Sequence, residues 1–386
     1  MLEARYFKRL GLEEIANKVA QGQRLSISDG ERLFACPDMN AVGSLAHHVR
    51  TRLHGNIAYY VVNRHINYTN ICVNGCRFCA FSRKKGDPLS FELSEDEILD
   101  KIRANGDGLT EIHVVGGCHP DLPLSFFEDL LRKIREIKAD ACIKAFTAVE
   151  IAHFAKKEGK SVKEVLERLK SAGLQMLPGG GAEVFSSRIR ERLCPEKLDA
   201  NGWLDVMRQA HESGIKTNAT MLYGHIETVR ERLEHMAALR ELQDRTGGFV
   251  CFIPLTFQPA NTALGHLAPS TGVDDLKTIA VSRLMLDNIA HIKAYWVMLS
   301  VKLAQAALYF GADDFDGTVI EEKIGHMAGA ESQQGMTRRE IEGIIRDAGL
   351  DPVERDSLFT RLTTRPQVAN SCEGPRSILR RDDGRV

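Results

Sequence analysis

An excess of charge of either sign is missing from this sequence. Its 386 residues carry 51 Lys and Arg against 52 Asp and Glu, a net charge of −1. No global field draws such a chain to nucleic acid or to an anionic membrane surface. Long apolar runs are missing too: none reaches the ~18 residues that a membrane span needs. The opening Met1-Leu2-Glu3-Ala4-Arg5 lacks the apolar core of a secretory signal. A disulfide framework is also absent. The nine cysteines are odd in number and, outside one tight cluster, scattered, which fits reduced thiols and a cytoplasmic setting. No repeat of solenoid length occurs. With 43% hydrophobic and 27% charged residues, the composition is that of an ordinary globular protein, long enough for one large α/β domain or two smaller ones.

What is present is Cys72-Val73-Asn74-Gly75-Cys76-Arg77-Phe78-Cys79. Three thiols on one short loop suit an iron–sulfur cluster, because soft sulfur ligands satisfy iron. A four-iron cluster takes four cysteines, and the loop offers three. One iron would keep an open coordination position. Two other readings compete. The i, i+4, i+7 spacing is also one face of a helix, although Asn74-Gly75 is a turn signal. A C-x2-C pair binds zinc, but no second such pair supplies the remaining ligand.

Around this loop the pattern alternates. Residues 1–55 read as a helical N-terminal cap, with Ser28-Asp29-Gly30-Glu31 opening one helix. Ile57 to Val62 reads as a strand buried on both faces. Strands are then expected at Glu111–Val115, Cys142–Thr147, Leu174–Leu177, Lys216–Tyr223, Phe249–Leu255 and 294–298, with a weak one near Phe315. Helices fall between them. Ser94 to Glu97, Ser125 to Glu128, Ser161 to Glu164 and Thr337 to Glu340 are capping boxes, the first opening a helix that stops near Gly106. Such alternation predicts a parallel sheet with crossover helices. The fold class is α/β: a (β/α) TIM-type barrel over 56–330, complete or nearly so, with a doubly wound open sheet as the rival. A helical extension follows over 331–364. Residues 365–386, with Cys372, read as a disordered tail.

Parallel sheets place ligands at the carboxyl ends of their strands. Gly116-Gly117-Cys118 follows one strand and lets backbone approach a ligand closely. Glu150 ends another, either as a polar contact for a ligand or as a helix N-terminal acid. Pro178-Gly179-Gly180-Gly181-Ala182-Glu183 is a ligand-facing turn or a flexible lid. Tyr223 and His225 close the next strand, and His225 could act as acid or base. Arg283 interrupts an apolar stretch and could hold a carboxylate.

The C-x3-C-x2-C loop, with Phe78 before its last cysteine, resembles the signature of the radical S-adenosylmethionine (SAM) enzymes. The resemblance implies a [4Fe-4S] cluster on Cys72, Cys76 and Cys79, with SAM chelating the open iron and acting as co-substrate. An electron from the reduced cluster then yields a 5′-deoxyadenosyl radical. It also implies that Gly116 and Gly117 meet the methionine amino group, although Cys118 stands where an acidic residue often follows. Phe78, Glu150, Gly180, Glu183 and Tyr223 are the further cofactor contacts expected, with His225 and Arg283 as the catalytic pair. Asn67-Tyr68-Thr69-Asn70, Leu177 to Glu183, Thr220 to His225 and Phe252 to Leu255 look like the subgroup of aminodeoxyfutalosine, cyclic dehypoxanthine futalosine and FO synthases. Lys144 to Ile151, Ala294 to Met298 and Asp316 to Val319 look most like the first of these. That likeness implies a transferase of menaquinone biosynthesis. It would add the adenosyl radical to the vinyl group of 3-[(1-carboxyvinyl)oxy]benzoate, using flavodoxin or ferredoxin as electron donor.

Overall fold

The computed structural model describes residues 4–104 and 108–362. Residues near Gly106 and the tail, with Cys372, lie outside the described residues.

Ten strands are present among the described residues. They are β1 (Ile57–Val61), β2 (Asn63–Asn67), β3 (Glu111–Val115), β4 (Cys142–Ala145), β5 (Met176–Leu177), β6 (Lys216–Tyr223), β7 (Phe249–Thr256), β8 (His291–Ile292), β9 (Asp314–Gly317) and β10 (Asp351–Glu354). Strands β2 to β8 form one parallel sheet in chain order. Helices lie between successive strands, so the sheet curls into a TIM-type barrel as the alternation predicts. Single bridges Lys293↔Asp314 and Arg64↔Ile320 bring the β9 segment between β8 and β2, narrowing the remaining gap.

Register decides which side chains meet. His65, His113 and Lys144 are paired across β2, β3 and β4. Successive strand residues face opposite sides, so one level of the interior receives all three.

β1 is not part of this sheet. It pairs with β9 and β10 in a small parallel sheet at the margin. β10 was not anticipated in the C-terminal extension, because Asp-Pro-Val-Glu has little strand propensity. Tertiary pairing with β1 imposes it.

Three local expectations change. The strand expected at 294–298 is β8 at His291–Ile292, and Trp296–Leu299 is a helical turn. A short apolar run carries no period that separates the two. The capping box at Ser125 does not form. Its helix runs Leu124–Ile137 after Pro123, and Glu128 instead accepts two hydrogen bonds from Arg168, at 2.7 and 2.6 Å. The boxes at Ser94, Ser161 and Thr337 do form. The helix near Ser28 starts earlier, capped by Ser26 and Asp29.

The N-terminal helices pack outside the barrel. Met39–His54 lies against Gly272–Met285, and Ile27–Ala35 against Val229–Thr246. Helix Gly272–Met285 is thus covered on several sides, and all residues from Thr278 to Met285 are buried. No helix among the described residues is long and apolar enough to cross a membrane.

Candidate functional site

The cysteine loop leaves β2 at the carboxyl end of the sheet. It is irregular from Cys72 to Cys79, which removes the helical reading of the spacing. Backbone bonds pin it from three sides. Cys72 N donates to Arg83 O at 2.9 Å, Val73 N to Cys118 O at 3.0 Å, and Arg77 N to Leu193 O at 2.8 Å. The thiols of Cys72, Cys76 and Cys79 are half-buried and line one cavity of about 310 Å³. Three soft donors at the mouth of a cavity fit an iron–sulfur cluster in donor chemistry.

Two further cysteines stand behind them. Cys118 lies against Cys72, its amide donating to Cys72 Sγ at 3.4 Å, and its hydrogen bonding brings Cys72 down to about 5. The neighbouring Cys194, together with burial, pushes Cys76 up. All the described cysteines are free thiols.

Of the expected cofactor contacts, Phe78, Gly116, Gly117, Glu150, Gly180 and Glu183 line the same cavity. Gly117 lies so close to the cysteine loop that a Cβ there would sit 2.2 Å from Ile71 O. Glu150 takes the helix N-terminal place of its second reading while it lines the cavity. Its Oε2 caps the helix Ala148–Glu158 through Thr147, and its Oε1 accepts from Tyr68 and Gly116. Burial pushes its carboxyl up to about 7, against the pull of those bonds. The glycine run is tied down rather than free. Thr220 donates to Gly179 O at 2.7 Å, and Trp203 to Gly180 O at 3.1 Å.

Three expected residues are not brought to the cavity. The Tyr223 hydroxyl points away and donates to Asp275 at 2.8 Å. His225 is held by Glu227 at 2.8 Å and Leu222 O at 3.0 Å, its side chain fully covered. Arg283 faces the outer helix layer. Its guanidinium donates to Gly311 O, Ala290 O and Asp313, at 2.8, 2.8 and 2.5 Å. The apolar stretch around Arg283 reflects a helix buried all round, and the arginine serves chain carbonyls and one carboxylate. Neither His225 nor Arg283 therefore joins the cysteines as a catalytic pair.

The cavity's interior carries Asn218, which the sequence places near a strand end, and also Lys144, Lys293, His65 and His113, which the strand-end rule passed over. Lys144 donates to Glu111 at 2.6 Å, and Lys293 to Asp316 at 2.5 Å. Burial opposes the Lys293 charge, but Asp316 and Asp314 outweigh it and hold its pKa up. His65 and His113 stack with centroids 4.4 Å apart, and burial lowers both, which favours the neutral imidazole. The Oδ1 of Asn218 is buried without a hydrogen-bond partner among the described residues, although Asn218 lines the cavity. The signal that could have found them is a charged or polar residue at an inward position inside an otherwise apolar strand. Apolar walls come from Leu222, Ile253, Leu255 and Phe257. Such a chamber suits a flat, partly apolar molecule that also carries anionic groups.

Known proteins resemble this arrangement. Residues 66–239 match the radical SAM superfamily, and residues 246–368 match the CofH/MqnC C-terminal region. The chain is 49% identical to an aminodeoxyfutalosine synthase of Thermus thermophilus, over 89% of this chain and 94% of that one. It is 42% identical to the aminodeoxyfutalosine synthase of Streptomyces coelicolor, covering 94% and 95%. A 5-amino-6-(D-ribitylamino)uracil–L-tyrosine 4-hydroxyphenyl transferase of Methanopyrus kandleri is 39% identical, covering 91% and 96%. Among solved structures, methylornithine synthase shares the fold, with a TM-score of 0.72 at 18% identity, over 87% and 96%.

Proposed function

The chain belongs to the radical SAM superfamily, whose members use a [4Fe-4S] cluster and SAM, and on that premise we propose that it is an aminodeoxyfutalosine synthase. In this reading it joins the 5′-deoxyadenosyl group of SAM to the vinyl carbon of 3-[(1-carboxyvinyl)oxy]benzoate. The product is 6-amino-6-deoxyfutalosine, for menaquinone biosynthesis; methionine and the carboxyl carbon are released. The observation that carries the reading is the 49% identity with one such enzyme along almost its whole length. When bound, the cluster and SAM supply an electron and an adenosyl radical.

The chain's own residues supply position and dryness. Cys72, Cys76 and Cys79 would hold the cluster, leaving one iron for SAM. Gly116, Gly117 and Gly180 present backbone to it, and Glu150 fixes the first of these glycines through its amide. Phe78 and Glu183 complete the cofactor's side of the chamber. The two carboxylates of the substrate require cations or amide donors. Lys293, Lys144 and Asn218 take that role in place of Arg283. Leu222, Ile253 and Leu255 face the arene and exclude water, which would allow side reactions. Residues 56–330 carry the chemistry, with 1–55 as cap, 331–364 as extension and 365–386 as tail. A low-potential donor such as flavodoxin or ferredoxin delivers the electron in the cytoplasm.

Relatives near 40% identity named as 4-hydroxyphenyl transferases favour a second reading, an FO synthase-like condensation on tyrosine. Mass spectrometry with adenosyl-labelled SAM separates the two. The first reading expects the label in a product that also contains the benzoate. Label found only in free 5′-deoxyadenosine, with the enol ether unchanged, overturns it.

A further inference from the structure

Lys197 is a cation that the proposed chemistry leaves unused. It follows the helix Ser187–Leu193, on the segment whose Leu193 carbonyl accepts from Arg77 of the cysteine loop. Its side chain is 12% exposed and lines the cavity. The ammonium lies 5.4 Å from the centroid of Phe78, between Cys76 and Cys79 in sequence. It donates to Glu183 Oε1 at 2.5 Å. Glu183, a non-glycine residue, holds φ at +51°. A left-handed backbone there is costly and marks a conformation that its surroundings impose.

Lys197 and Glu183 line the same cavity as Cys72, Cys76 and Cys79, so both charges face the space that the three thiols border. A cluster held by three thiolates gains one negative charge when one electron enters, with no bond made or broken. A fixed cation nearby stabilises the reduced state, and a fixed anion destabilises it. Cluster potentials respond to net charge and burial in this way.

We propose that Lys197 and Glu183 form a partly buried ion pair that sets the reduction potential of the cluster on Cys72, Cys76 and Cys79. The proposal rests on the reading of those cysteines as cluster ligands. Lys197 is here a positioning residue for charge, and Glu183 trims its field.

The test is an anaerobic redox titration of the full reconstituted chain, with dithionite as the reductant and the reduced cluster read by electron paramagnetic resonance. Iron and sulfide content are measured alongside. Lys197→Met is expected to make reduction harder, by about tenfold in the equilibrium constant, or ~59 mV for one electron. Glu183→Gln is expected to move it the other way. Lys197→Arg is expected to restore most of the wild-type value. A merely structural pair would not give opposite signs. Shifts of the same sign, or no shift at wild-type iron content, overturn the proposal. A shift that appears only after SAM is added also overturns it, and assigns Lys197 to the SAM carboxylate. If Lys197→Met does not load, Glu183→Gln decides. A wild-type chain that binds no four-iron cluster defeats the underlying reading instead.

Discussion

The hydroxyl of Tyr68 donates to Glu150 Oε1 at 2.8 Å, and the amide of Gly116 reaches the same oxygen at 3.1 Å. One carboxylate thus joins the end of β2, the turn after β3 and the helix after β4. Tyr68 and Glu150 are both buried. Tyr68→Phe removes a buried hydrogen bond to this carboxyl, which costs about 0.5–3 kcal/mol across its neutral and charged forms. Urea unfolding is expected to show that loss. Calorimetric titration is expected to show weaker SAM binding, since Gly116 is less firmly placed. Unchanged affinity with lowered stability would separate the clamp from the cofactor.

Gly117 is the tightest approach between the β3 turn and the cysteine loop. A Cβ there would meet Ile71 O at 2.2 Å and the Ile71 carbonyl carbon at 2.7 Å. Both are backbone atoms and cannot swing aside. Gly117→Ala is therefore expected to displace Cys72 and to leave most chains without iron after reconstitution. Gly180 is the control. Its Cβ would meet only the Thr147 methyl group, at 3.0 Å, so Gly180→Ala should load normally. Iron and sulfide assays on the two variants read the difference.

Asn218 keeps an unpartnered buried oxygen inside the cavity. An unsatisfied buried polar group costs about 1–3 kcal/mol, so an apolar residue of similar size should stabilise the empty chain. Asn218→Leu is expected to raise the melting temperature and at the same time to raise KM for the enol ether about tenfold. A variant that gains stability with an unchanged KM would remove Asn218 from the substrate's side.

Arg283 makes the opposite trade. Its guanidinium neutralises Asp313, which also contacts His291 at 2.6 Å and His54 at 3.5 Å. Removing one partner of a buried pair typically costs about 3–5 kcal/mol. Arg283→Met is expected to lower stability by that order, with KM for the substrate unchanged in the chains that remain folded. Denaturant unfolding and initial-rate kinetics on the same preparation check both halves.

Arg283 and Lys144 show where sequence reasoning succeeds and where it stops. The barrel was legible because strand and helix alternate with capping signals between them. The cysteine loop was legible because its spacing is local. Arg283 misled because an apolar stretch with one cation looks the same on a pocket wall and on a helix buried between layers. Which it is depends on Met39–His54 packing over Gly272–Met285, a contact between distant parts of the chain. Lys144 stands out in sequence only as part of a motif, because its importance comes from register. It stands level with His65 and His113 only when three strands pair as they do. β10 was invisible for a related reason, since its sequence is polar and its strand exists through β1.

His326 offers a test in pH. Its Nδ1 lies 3.0 Å from Glu322 Oε2 and its Nε2 lies 3.1 Å from Ser332 O. The hydrogen bond to Glu322 raises the imidazole from 6.5 to about 9. Glu322 lines the cavity and also accepts from Gly325 N, at 2.9 Å, so the charged imidazole braces the segment that borders the site. A folded-state pKa above the unfolded value means that the folded chain holds the proton more tightly. The stabilisation is then complete below pH 6.5 and declines as pH rises through about 9. Proton NMR of the full chain is expected to show one histidine titrating near that upper value. His326→Gln keeps a hydrogen-bonding group but no titration, so it should flatten the loss of stability between those limits. It should also increase amide exchange from Glu322 to Ser332 at neutral pH. An imidazole that titrates near 6.5 would show that Glu322 and His326 do not pair in solution, and the bracing of the cavity's edge would then need another source.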